Sequence, residues 1–419
     1  PYVESLASYI NRLAVEHSIS VADLFIRIIS IYGSIFSEKT NTFKNLWKIL
    51  SAINNASKSS IIVEIMSELT IRSELKYLTL ATIEDLNING ALSKIKRYCP
   101  KCYEEQKASN NIVYDPLIWS IRAIKICPIH RLYLLDDCPN KDCVSNFTVL
   151  NTYSVPGCCP CCYQWLGSQS SNLADDLTIE SQKWIIKQIG DLIAEISVLS
   201  TVDVNSNIKK VLKIILEVYG NGNAITLSEV LEISDKTIRQ WNKQQNSPSL
   251  NSLLRICAKL NISLLNILKY GTLKKFPINN NNVCFKTTKR PSKNNKINKD
   301  LIKSKLEELI QSNNKENPLS VKETAKILGV SVGTLYNHFP EICNYIVDER
   351  RAFFSRKKKE KTEELCRAVK EEMINIYNSG QYPSKERLGK ILGFYVFFIP
   401  EVRKAWEETI KELGLGKLD

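Results

Sequence analysis

Nine of the thirteen cysteines lie between Cys99 and Cys162. Their spacing is that of metal ligands. Cys99-Pro-Lys-Cys102 is followed by Cys127-Pro-Ile-His130. Each two-residue step lets a tight turn aim two donors at one ion, and two such turns complete a tetrahedron. Thiolates and a neutral imidazole suit Zn²⁺, whose filled d shell accepts an S₃N set without redox chemistry. The spacing predicts a structural zinc on Cys99, Cys102, Cys127 and His130. A second set follows in Cys138-Pro-Asn-Lys-Asp-Cys143 and Cys158-Cys159-Pro-Cys161-Cys162. Because Cys159-Pro-Cys161-Cys162 repeats the Cys-Pro-x-Cys form, the expected ligands are Cys138, Cys143, Cys159 and Cys162. The register through Cys158 and Cys161 stays open. With four protein ligands each, the two Zn²⁺ sites leave no position for water, so they are expected to hold the fold rather than catalyse.

The second kind of chemistry sits on short helices with polar outer faces. Ile225 to Lys243 reads as a helix-turn-helix. Its first helix carries Leu227, Val230 and Leu231; Ser234 caps the second, which turns Ile238 and Trp241 inward. Asp235, Lys236, Thr237, Arg239, Gln240 and Lys243 are left outward, as hydrogen-bonding groups for major-groove base edges. Leu253, Leu254, Ile256, Leu260, Leu264 and Leu265 supply the helices behind. With Pro248-Ser-Leu250 included, the unit resembles the repressor-type helix-turn-helix of phage regulators. A second unit spans Pro318 to Glu341. Small Ala325 permits close helix contact, Gly329 supplies a turn of positive φ, and Ser331 caps a helix with Leu335 inward. Thr334, Tyr336, Asn337 and His338 are then available to DNA. Tyr382 to Val402 repeats this second unit, but Gly393 to Pro400 is four residues shorter than Gly329 to Pro340. The clipped stretch, Phe394 to Phe398, is apolar and is expected to pack rather than read bases.

These groups need a framework, and the chain is long enough for several domains: 419 residues, 44% apolar and 24% charged. The fold class expected is mainly α and multidomain. Residues 1–95 form a helical domain, with Leu6, Ile10, Leu13 and Ala14 on one face and a second helix starting near Ser20. Residues 96–170 form a two-zinc, treble-clef or ribbon-like module. Residues 171–273 hold the first helix-turn-helix and a helix marked by Trp184, Ile185, Ile189, Leu192 and Ile193. A basic linker covers 274–299, and the second and third helix-turn-helix units cover 300–361 and 362–419.

The net charge of +13 points to a polyanionic partner. It is concentrated: ten Lys/Arg and one acid lie between Lys274 and Lys305. Within the linker, Lys289 and Arg290 are expected to lie as an arm along a minor groove. Arg350-Arg351, Arg356, Lys357, Lys358, Lys359 and Lys361 form a helical basic run expected to touch phosphates. No Gly-x-x-x-x-Gly-Lys phosphate loop occurs, none of the three histidines has a nucleophile–base setting, and no acid cluster suggests a two-metal nuclease. The expectation is a binding protein rather than an enzyme. No apolar run approaches a membrane span and no secretory segment is visible, so a cytoplasmic location is expected. The chain opens on Pro1 without Met, which leaves its true start open.

Several linked motifs resemble the TniQ/TnsD family of transposition proteins. They are Glu4-Ser5-Leu6…Ser8-Tyr9…Arg12-Leu13-Ala14, Asp115-Pro-Leu-Ile-Trp119, Cys127-Pro-x-His130, Leu134-Leu135-Asp136-x-Cys138-Pro139 and Cys159-Pro-x-Cys162-x-x-Trp165-Leu166-Gly167. Leu328 to Glu341 resembles the long TnsD branch. Arg131 stands where the family usually has Gly. The resemblance implies a protein that binds a double-stranded attachment site on the chromosome and recruits the AAA+ ATPase TnsC, and through it the transposase; unlike readers in tandem suit a monomer on an asymmetric site. An adaptor that joins an RNA-guided CRISPR effector to TnsC, or a transcription regulator, is the alternative.

Overall fold

The structure, a computed structural model, describes residues 3–37, 56–80, 83, 86–88, 90–109, 112–140, 143, 148–151, 154–160, 162–169, 173–274, 299–311, 318–393, 396–397 and 399–415. It is mainly helical. Among the described residues no strand forms, only isolated antiparallel bridges such as Tyr98 with Leu135 and Cys158 with Trp165. Two compact units divide the chain, Pro1–Lys286 and Thr287–Asp419.

The first unit opens with α1 (Leu6–Glu16), α2 (Val21–Ser37) and α3 (Ala56–Thr70). Ser5 caps α1 by accepting the Ser8 amide. At α2, Ser20 and Asp23 bond reciprocally, the Asp23 amide to the Ser20 hydroxyl at 3.0 Å and the Ser20 amide to the Asp23 carboxylate at 3.4 Å. Leu6, Ile10, Phe25, Ile62 and Met66 bury their side chains together around Ala14, each of these five contributing roughly 1.5–3 kcal/mol relative to exposure.

Next come α4 (Pro100–Ala108), a 3₁₀ turn (Leu117–Ser120), α5 (Asp176–Ala194), α6 (Ile196–Leu199), α7 (Val204–Gly220), α8 (Ala224–Leu231), α9 (Asp235–Asn242), α10 (Leu250–Leu260) and α11 (Leu264–Tyr270). A continuous set of buried side chains runs through this stretch, from Leu80, Tyr103, Trp119 and Cys127 to Trp184, Leu231, Trp241 and Leu268. The cysteine-rich segment and the first helix-turn-helix therefore share a core. Polar bonds pin its parts. The fully buried Gln188 amide donates to the Ile262 carbonyl (3.1 Å) and accepts the Leu264 amide (2.8 Å), which fixes α11 against α5. Asn87 donates to the Ser247 carbonyl (3.1 Å), and its own carbonyl accepts the Leu250 amide (2.7 Å). Asp175 caps α5; the Tyr133 hydroxyl and the Thr178 amide and hydroxyl bonded to it hold its carboxyl down at about 2.

The second unit contains α12 (Lys299–Gln311), α13 (Val321–Ile327), α14 (Val332–His338), α15 (Pro340–Asn378), α16 (Lys385–Leu392) and α17 (Pro400–Glu412). Leu306, Val321, Ala325, Leu335, Cys343 and Ile346 form a small core. The 39-residue α15 extends for about 58 Å at 1.5 Å per residue. The boundary expected at 361/362 thus falls inside one helix. Leu365, Val369 and Met373 of α15 are buried, as are Leu388 of α16 and Val402 of α17, the two helices that pack against it. Among the described residues no helix is long and apolar enough to cross a membrane.

Candidate zinc centres and nucleic-acid interface

Cys99, Cys102, Cys127 and His130 converge, with all four donor atoms within 4.8 Å of one another. The Cys102 and Cys127 sulfurs are 3.5 Å apart, and His130 Nδ1 lies 3.5, 3.2 and 3.8 Å from Cys99, Cys102 and Cys127. A tetrahedral zinc with Zn–S and Zn–N bonds of ordinary length needs S···S near ~3.8 Å and S···N near ~3.6 Å. The donor set fits. Nε2 of His130 points the other way, 2.9 Å from Glu105 on α4. That carboxylate fixes the ring so that Nδ1 is left as the ligand atom. Glu105 went unread in the sequence, although a carboxylate three residues after Cys102 on a helix is a usable signal.

Cys138, Cys143, Cys159 and Cys162 form a second group of donors within 4.8 Å, with Cys138–Cys162 and Cys143–Cys159 both at 3.6 Å. Cys158 is not among them; it pairs its backbone with Trp165 instead. Cys161 lies outside the described residues.

The two groups use one turn design. Cys127 N–H bonds the Leu132 carbonyl (2.7 Å) and Arg131 N–H bonds the Cys127 carbonyl (2.9 Å). Likewise Cys159 N–H bonds the Gln164 carbonyl (2.8 Å) and Tyr163 N–H bonds the Cys159 carbonyl (3.0 Å). Both turns close through a left-handed residue, Arg131 at φ 58° and Tyr163 at φ 59°. Glycine adopts this conformation without steric penalty, which gives a physical reason why a glycine would suit the position that Arg131 fills.

Crowded thiols resist joint ionisation. Hydrogen bonds with Cys127 and Cys99, and burial, raise the Cys102 thiol well above its ordinary value. As recipient of hydrogen bonds from Cys102 and Cys99, Cys127 falls to about 2. Burial pushes Cys138 up to about 12. A divalent cation at the centre reverses this, because it stabilises every thiolate at once.

The motif residues around these centres are joined to each other. The Asp115 amide bonds the Ser8 hydroxyl (2.9 Å) and its carbonyl accepts the Ser5 amide (2.9 Å). Its carboxylate pairs with buried Lys96 (3.0 Å) and accepts the Tyr103 hydroxyl. Arg97 donates to the carbonyls of Ile124, Trp119 and Ile121. Burial lowers its guanidinium to about 10. Trp165 donates to Glu104 (2.9 Å), and a Cβ on Gly157 or Gly167 would come within 2.3 Å of its ring. Lys96, Arg97 and Glu104 carry no periodic signature and were not read from the sequence.

In the first helix-turn-helix, Ile238 and Trp241 of α9 are buried. Lys236, Arg239 and Lys243 are exposed and Gln240 half-buried. At about 100° per residue these four share the face opposite Ile238 and Trp241. Thr237 lies beside them with its hydroxyl 2.7 Å from that of the cap Ser234. Val230, expected inward, is 41% exposed. Leu227 and Leu231 set the buried line of α8, and Val230 stands about 100° from Leu231 around the helix. The turn residue is Glu232 at φ 53°. Its carbonyl accepts Arg255 (2.6 Å) and its carboxylate accepts Lys259 (2.5 Å).

The second unit has the same frame. Ser331 accepts the Thr334 amide (3.0 Å), Leu335 is buried, and Gly329 turns at φ 67°. Tyr336, Asn337 and His338 are exposed and Thr334 is half-buried. Arg350 is engaged elsewhere, donating to the Pro318 carbonyl (2.7 Å) and to Glu323 (3.0 Å), the capping-box acid of α13. Along the basic run, Arg351 pairs with Asp348, Lys357 with Glu360, Lys359 with Glu363 and Lys361 with Glu364. Arg356 is exposed. The side chain of Lys358 lies outside the described residues, as do Lys289 and Arg290. In the third unit Val396, Phe397 and Ile399 are buried, while Phe394, Tyr395 and Phe398 lie outside the described residues.

Comparison with curated proteins gives no match. The family model TniQ matches residues 1–134, from the N-terminal helices through the whole first metal-ligand group, and stops short of the second. The similarity of residues 1–134 to TniQ associates this part of the chain with DNA transposition.

Proposed function

We propose that this protein selects the insertion target of a DNA transposon without catalysing a step itself. The observation that carries the reading is that the TniQ match and the exposed stripe Lys236, Arg239, Gln240 and Lys243 belong to one compact unit. Residues 1–134 engage the transposition machinery, as a contact for the AAA+ ATPase TnsC, in the manner of the TnsD-like branch. The first helix-turn-helix lays α9 in a major groove, and the second presents Thr334, Tyr336, Asn337 and His338 to a separate segment of duplex. Arg356, Lys357 and Lys358 of α15, with Lys289 and Arg290, supply phosphate contacts. Two zinc ions on the two ligand groups hold the framework. Unlike readers in tandem suit one monomer on a long asymmetric site.

Selection from a genomic and random duplex library at about 150 mM salt tests this, since non-specific phosphate binding is weak there. Enrichment of one asymmetric site, lost in the Arg239→Ala/Gln240→Ala double variant, supports the target-selector reading. Retained TnsC binding with no enriched sequence would replace it with the adaptor reading.

A further inference from the structure

Arg239 and Asp235 form an ion pair on α9, with Nε of the guanidinium 3.4 Å from a carboxylate oxygen. Both side chains are about half exposed, 55% and 48%. The pair is one turn apart on the helix, and Arg239 lies within the stripe that faces away from Ile238 and Trp241. Asp235 sits at its flank. The nitrogen nearest the carboxylate is Nε, not the terminal pair Nη1 and Nη2, so the pairing falls on the inner nitrogen of the guanidinium rather than on its fork. Two parallel N–H donors in a plane match guanine, whose major-groove edge offers O6 and N7 as adjacent acceptors. Adenine places a donor beside N7 and thymine offers one acceptor and a methyl group, so neither satisfies both arms. Lys236 and Lys243, in the same stripe, carry ammonium groups without a planar fork and suit phosphates.

We infer that Arg239 reads a guanine in the major groove and that Asp235 is its positioning residue, holding the guanidinium plane for bidentate contact. This rests on the DNA-reading role proposed above. It assigns to the first helix-turn-helix a base identity and to Asp235 a specificity role, distinct from its place in the first turn of α9. An acid so close to DNA repels phosphates, so it lowers affinity for every sequence; discrimination is what it returns.

The full-length protein, zinc-loaded, is subjected to duplex selection at about 150 mM salt together with Arg239→Ala, Arg239→Lys and Asp235→Asn. In the wild type, one position of the enriched site is expected to be guanine, preferred over the other bases by about 5- to 150-fold. Arg239→Ala abolishes that preference at that position alone. Arg239→Lys keeps binding but loses most of the discrimination, because a point charge cannot make the paired contact. Asp235→Asn reduces the preference by about 2- to 5-fold, the range of an exposed ion pair, without weakening binding to sequences that lack the guanine. Replacing the guanine by 7-deazaguanine, which removes N7, weakens the wild type and leaves Arg239→Ala unaffected. An enriched site whose guanine preferences all survive Arg239→Ala overturns the assignment while the target-selector reading stands. A uniform loss of affinity in Asp235→Asn, with discrimination intact, overturns the positioning role and marks Asp235 as a helix-stabilising residue only. If the wild type enriches no sequence, the DNA-reading role falls first and this inference with it.

Discussion

The first and second helix-turn-helix units are built on one local plan and supported in opposite ways. In each, a serine caps the outer helix and bonds the amide and hydroxyl of a threonine three residues on, Ser234 with Thr237 and Ser331 with Thr334. Each closes its turn through a left-handed residue, Glu232 or Gly329. The backing differs. Ile238 and Trp241 press into the core that also contains Cys127 and Cys159, whereas Leu335 rests on a few side chains from α12, α13 and α15. Local geometry can therefore be copied between units while stability is drawn from different sources. The outward chemistry also differs: two cations and an amide on α9 with a third cation, Lys243, at its C-cap, and a phenol, an amide and an imidazole on α14.

The largest expected effect separates the two units through the metal. A structural zinc contributes on the order of 10 kcal/mol to the folding of the module that binds it. Chelation, or Cys127→Ser, is expected to open hydrogen exchange across α4, α5 and α9 and to leave α13 and α14 protected. Equal loss of protection in both units would break the comparison, because it would mean that the second unit has no independent core. Next in size are the anchors. Trp241→Ala should cost about 3–5 kcal/mol and Leu335→Ala about 2–5 kcal/mol. The test is where the damage spreads in hydrogen exchange. Trp241→Ala is expected to weaken α8, α10 and α11, whereas Leu335→Ala should loosen α13 and the start of α15.

What could be read from the sequence divides along the range of the interaction. The two ligand sets were legible because a metal imposes donor type and spacing on a few residues. The caps at Ser234 and Ser331, the positive φ of Gly329 and the buried stripe of α5 were legible because each is decided within one or two turns of helix. The shared core was not. Asn87 meets Ser247 and Leu250 across about 160 residues, and Gln188 meets Ile262 and Leu264 across more than 70. Such bonds leave no period behind. The division expected at 361/362 falls within α15. Yet Pro340 at the first position of α15, with no Gly or Pro from Glu341 to Ser379, was enough to indicate one helix. The phosphate contacts assigned to that run look different once the acids at i+3 and i+4 are placed beside it. Arg350 in particular is committed to Glu323 and the Pro318 carbonyl.

A smaller effect tests whether the caps are equivalent. Ser234→Ala and Ser331→Ala should each cost about 1 kcal/mol, the usual worth of a serine cap. Thermal or denaturant unfolding of each variant reads it. If Ser331→Ala proves clearly the more costly, the thinner backing of α14 makes the second unit depend on its cap in a way the first does not.

The last comparison lies in the turns and asks what holds a left-handed residue in place. At Gly329 an added Cβ meets no atom within 4 Å, so Gly329→Ala isolates the backbone penalty, about 1–2 kcal/mol. Glu232 already bears a Cβ at φ 53°, and there the side chain bonds Lys259 while the carbonyl bonds Arg255. Glycine at position 232 removes the strain and the carboxylate's pairs with Lys259 and, at 3.7 Å, Arg255, but leaves the carbonyl free to accept Arg255. Glu232→Gly is therefore expected to unfold at nearly the wild-type denaturant midpoint, with relief of strain set against loss of the pairs and a more flexible unfolded chain. A marked loss of stability in Glu232→Gly would show that the lysine clamp, rather than tolerance of the backbone, sets the first turn. The two units would then differ in their local plan as well as in their support.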